Sequence, residues 1–77
     1  MYYSNIKAEL SRHDLTVKEL AAYMNMSPQN VYNKLRGKVA VTTKDMQLIQ
    51  NFFIEKAGGA FSLDYLFSTD VTNNGGN

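Results

Sequence analysis

Seventy-seven residues with one His and no Cys make one small domain, without disulfides, thiol chemistry or the ligands of a usual zinc site. Its modest core needs well-matched helix packing or a partner that covers apolar surface. The net charge is only +1, yet residues 27–44 carry Lys34, Arg36, Lys38 and Lys44 and no acid, the distribution of a small phosphate-facing patch.

No apolar run approaches the ~20 residues of a membrane span. The opening MYYSNIKAEL lacks the pattern of a signal peptide. The chain therefore reads as a soluble cytoplasmic protein.

In chain order, Ser4 is placed to cap a helix from Asn5 to about His13. Ile6 and Leu10 form its inner stripe, and Lys7, Glu9, Ser11 and Arg12 face water. His13 reads as a solvated surface residue. Asp14 ends the helix, and Leu15 packs inward ahead of the next cap.

Thr16-Val17-Lys18-Glu19 is a capping box that opens a helix over Val17–Met24, with Leu20, Ala21 and Met24 on its apolar face. Asn25 tolerates the left-handed turn that stops it. Ser27 as N-cap and Pro28 at the first position start the next helix, which runs to about Arg36. Val31 and Leu35 form its buried stripe, so Gln29, Tyr32, Asn33 and Arg36 lie on the opposite side. Gly37 ends it.

Residues 38–42 form an irregular link, with Val39 or Val41 packed beneath the helix pair. Thr42 or Thr43 then caps a helix to about Lys56, with Asp45 in its first turn. Met46, Ile49 and Phe53 make one stripe, and Leu48 and Phe52 a second. That second stripe suits either a fully buried helix or a surface left for another chain. Gly58-Gly59 breaks the pattern, and Ser62 caps a last helix, Leu63 to Phe67. Residues 1–67 make the domain. From Ser68 to Asn77 the chain reads as a disordered tail.

Ala21 small at a helix crossing, a turn at Asn25-Met26-Ser27 and Val31 buried beyond it together resemble the DNA-binding helix-turn-helix of the lambda-repressor-like (XRE, Cro-like) family. Lys34-Leu35-Arg36-Gly37-Lys38 and Ser62-Leu63-Asp64-Tyr65-Leu66-Phe67 are similar to the small single-domain regulators of temperate phages and prophages. The likeness covers roughly residues 4 to 67. It implies an all-α, compact five-helix domain whose second motif helix enters the major groove.

On that resemblance Gln29, Asn30 and Asn33 read bases, and Thr16, Lys18, Tyr32, Lys34, Arg36, Lys38 and Lys44 contact the DNA backbone. The partner is a double-stranded operator, bound as a homodimer or as a heterodimer with a repressor protein. Two positions depart from the pattern. Val17 stands where many relatives carry Gln or another polar residue, and Pro28 where some carry a base-reading side chain.

The sequence thus reads as a sequence-specific transcriptional regulator of a phage or prophage switch. The alternative is a modulator, an antirepressor or co-repressor, that docks on a phage repressor; Leu48, Phe52, Tyr65 and Leu66 are the candidate partner or dimer interface. Neither is an enzyme, and no cofactor, small-molecule substrate or membrane is expected. Gly58-Gly59 lacks the Lys-Ser/Thr of a phosphate-binding loop.

Overall fold

The computed structural model describes residues 2–69. Among them it has five helices and no strand: α1 (Ser4–Arg12), α2 (Val17–Met24), α3 (Pro28–Leu35), α4 (Thr43–Ala57) and α5 (Leu63–Leu66). No helix of the described residues is long and apolar enough to cross a membrane.

Local chemistry fixes most of these boundaries. The hydroxyl of Thr16 accepts from the Glu19 amide at 3.1 Å, and Glu19 Oε1 accepts from the Thr16 amide at 2.9 Å. Thr42 and Asp45 repeat this capping box at the start of α4, both bonds at 3.0 Å. Ser27 and Ser62 cap α3 and α5. Such caps contribute about 1 kcal/mol each. Helix α1 departs from expectation. Ser4 is its first residue rather than its cap, and Tyr3 precedes it without a side-chain cap. The Tyr3 amide instead donates to Leu35 O at 3.1 Å, so the end of α3 anchors the start of the chain.

The first three helices end alike. Leu15 N donates to Leu10 O, Met26 N to Ala21 O, and Lys38 N to Asn33 O. These are the six-to-one bonds of Schellman turns, with Asp14, Asn25 and Gly37 at positive φ in the reversing position. Gly58 ends α4 through a single bond to Ile54 O at 3.0 Å. Each reversal is therefore set within a few residues, and the connections stay short.

Helix α2 packs against α3 and α4, and α5 closes against α1 and α4. The core comprises Ile6, Leu10, Leu20, Ala21, Met24, Val31, Leu35, Ile49, Phe52, Phe53 and Leu66. Phe52 and Leu66 are fully enclosed, which removes both from any docking surface. The second stripe of α4 is buried because α2 covers it: Tyr23 meets Phe52 edge-on at 5.5 Å, and its hydroxyl donates to Glu55 at 2.6 Å. Leu48 is half-buried against the same core. Val41, not Val39, is the more buried residue of the link.

Glu9 is also buried, contrary to its expected exposure. It accepts from Tyr65 Oη at 2.7 Å and from Arg12, and lies 3.2 Å from His13 Nε2. Asn5 Nδ2 donates to Tyr65 O at 2.8 Å. These bonds tie α5 to α1. The rings of Tyr3 and Phe67 meet edge-on at 5.5 Å beside them. From residue 70 onward the expected tail lies outside the described residues. Ser68 is described, and its Oγ donates to Asp64 O at 2.8 Å.

Candidate nucleic-acid interface

Val31 and Leu35 bury one side of α3. That fixes the other side outward, where Gln29, Asn30, Tyr32 and Arg36 are exposed and Asn33 is half-buried. Gln29 Nε2 donates to Asn33 Oδ1 at 3.2 Å across one helical turn. The bond holds the two amides as a unit. It leaves the Gln29 carbonyl oxygen and the Asn33 amino group for an outside partner. An acceptor beside a donor is the complement of the adenine edge in the major groove, which offers N6–H and N7. The Asn30 backbone amide is used by the Ser27 cap at 3.2 Å, and its side chain stays exposed.

The cations divide into two groups. Arg36, Lys38 and Lys44 are exposed, with no acidic residue between them along the chain. Lys34 is different. It is only 9% exposed. Its Nζ lies 2.9 Å from Asp45 Oδ2 and donates to Ala40 O at 3.1 Å. The expected phosphate contact of Lys34 is thus corrected: its charge is already spent on Asp45. Burial pushes the Asp45 carboxyl up, but the Thr42 amide and Lys34 together outweigh this and hold it below the usual carboxylate range.

At the start of α2, Thr16 and Lys18 are both exposed. Thr16, however, is engaged through both its amide and its hydroxyl by Glu19. The chain's own carboxylate occupies the anion position at this helix N-terminus. Phosphate is therefore less favoured there than the resemblance implies for Thr16. Thr16, Val17 and Tyr32 line an open groove of about 410 Å³ together with Lys7 and Ser11 of α1. Leu10, Asp14 and Leu15 also line it. Lys7 and Ser11 are exposed as expected, but the sequence assigns them no role, although their four-residue spacing puts them on one face of α1.

Of the expected partner surface, Leu48 is half-buried and Tyr65 is exposed. Tyr65 is not free, since its hydroxyl and carbonyl are bound by Glu9 and Asn5. Among the described residues no group of His, Asp and Glu side chains could hold a metal ion. Comparison of the chain with protein-family models, curated proteins and solved structures found no match.

Proposed function

We propose that this protein is a sequence-specific DNA-binding regulator with a lambda-repressor-like fold, and that α3 enters the major groove. One observation carries the reading: the hydrogen-bonded amide pair of Gln29 and Asn33 on the exposed side of α3. A bound amide pair is an economical base reader, because less side-chain freedom is lost on contact. Arg36, Lys38 and Lys44, exposed and following that helix in the chain, supply phosphate contacts, which position the protein without reading sequence. The α2–turn–α3 geometry supports the same reading, with Asn25 in the left-handed conformation between two capped helices.

A single module of this size reads one half-site, so the operator-bound form is a dimer on half-sites about one helical turn apart. The resemblance to temperate-phage regulators suggests a phage or prophage switch as the setting. The modulator reading is weaker than the sequence alone made it, because Phe52 and Leu66 belong to the monomer core.

Selection of the purified protein against random duplex DNA tests the proposal. The expected result is enrichment of a short motif containing adenine, spaced as an inverted repeat. Retardation by the enriched duplex should weaken with salt, with a slope of roughly −0.9 per neutralised phosphate. A selection that enriches no sequence would rule out a base-reading role.

A further inference from the structure

We infer that Lys34 is a positioning residue, which holds the basic loop of residues 36–42 in a phosphate-facing shape without touching DNA itself. The inference rests on the DNA-binding reading above.

The loop is fixed at several points. At its start, Gly37 adopts φ +81°, and the ring of Tyr2 sits against it so closely that a Cβ there would lie 2.8 Å from Tyr2 Cγ. The amides of Lys38 and Val39 both donate to Asn33 O, at 2.9 and 3.2 Å. At its far end, Thr42 is locked into the capping box of Asp45. Lys34 joins these ends from beneath, since one ammonium group binds both Ala40 O and Asp45. An ammonium with two such partners and so little exposure has no access to a phosphate. The exposed cations Arg36 and Lys38 do.

The test uses Lys34→Met together with Asp45→Asn. The methionine keeps the aliphatic packing. The asparagine still accepts from the Thr42 amide, leaves no lone buried charge and keeps the net charge unchanged. Amide hydrogen exchange at Lys38 and Val39 reads the loop in the free protein. The expected result is faster exchange there, with the Leu20 and Phe53 amides as slow as in the wild type. Unchanged exchange at Lys38 and Val39 overturns the inference.

A salt titration against the selected duplex reads the contact. A loosened loop must be ordered again on binding, and that penalty does not depend on salt. Affinity should fall about ten-fold at every salt concentration, the cost of ordering roughly one residue, with the slope unaltered. Arg36→Gln and Lys38→Gln should instead each flatten the slope by about 0.9. The same flattening in the Lys34 double variant would make Lys34 a phosphate ligand and overturn the inference. If the wild-type protein retards no DNA, the DNA reading fails, and the exchange result still decides whether Lys34 holds the loop.

Discussion

The hydroxyl of Tyr65 donates to Glu9 Oε2 at 2.7 Å and joins the last helix to the first across most of the chain. This bond, more than any other interaction, holds the Glu9 carboxyl below its usual range. Burial opposes it, and Arg12 and His13 support it. A carboxyl depressed in the folded state stabilises the fold in full above its unfolded value of about 4.3, and that stability is lost as pH falls through the lower folded value. Asp45 acts with the same sign. Urea midpoints should therefore fall on acidification below about pH 4. Glu9→Gln should reduce that fall without abolishing it, because Asp45 remains. Equal acid losses in the variant and the wild type would remove Glu9 from the account. Tyr65→Phe should cost about 1 kcal/mol at neutral pH.

Gly37 and Gly58 offer a matched comparison. Both adopt positive φ, but a Cβ at Gly37 meets the Tyr2 ring, whereas one at Gly58 meets nothing within 4 Å. Gly58→Ala should cost about 1 kcal/mol from conformation alone. Gly37→Ala should cost roughly 2–3 kcal/mol, conformation plus overpacking. Adding Tyr2→Ala to Gly37→Ala should recover the overpacking share only. Thermal unfolding of the variants measures these differences, and equal costs at the two glycines would count against the close approach of Tyr2.

Phe52 lies in the core, so its loss is a matter of folding and not of assembly. Phe52→Ala should cost about 3–5 kcal/mol, comparable to the whole stability of a domain this small. Circular dichroism should show Phe52→Asp unfolded at room temperature. A folded Phe52→Asp protein with reduced mass by light scattering would restore the interface reading.

Base reading and phosphate contact separate by substitution. Gln29→Ala and Asn33→Ala should each relax preference at one position of the selected site, by about 1–3 kcal/mol of discrimination. Because the two side chains are bonded, their effects should be less than additive. Arg36→Ala and Lys38→Ala should weaken all duplexes alike. Unchanged sequence preference in Gln29→Ala and Asn33→Ala would remove the amide pair as the reader.

Most helix boundaries were legible because their causes are local; the start of α1, where Ser4 does not act as the cap, was not. Thr16 with Glu19, Asn25, Ser27 with Pro28, Thr42 with Asp45 and Gly58 each carry their chemistry within a few residues of the boundary they set. The exposed side of α3 followed from the spacing of Val31 and Leu35. Lys34 was misread because a basic stretch carries no sign of which cation turns inward, and its partner Asp45 is eleven residues on. Phe52 was ambiguous because helical periodicity reveals two stripes but not which neighbour covers the second. Glu9 and Tyr65 meet only through the tertiary fold, although Arg12 and His13, one turn beyond Glu9, hinted at a shared carboxylate.

The meeting of Tyr3 with Phe67 at 5.5 Å places the two ends of the folded domain side by side. A circularly permuted chain follows from this. With the old ends joined by a short flexible linker and new ones opened between the exposed Gly58 and Gly59, all five helices remain whole. The same adjacency lets the domain be inserted into a surface loop of another protein without stretching either host strand of the junction.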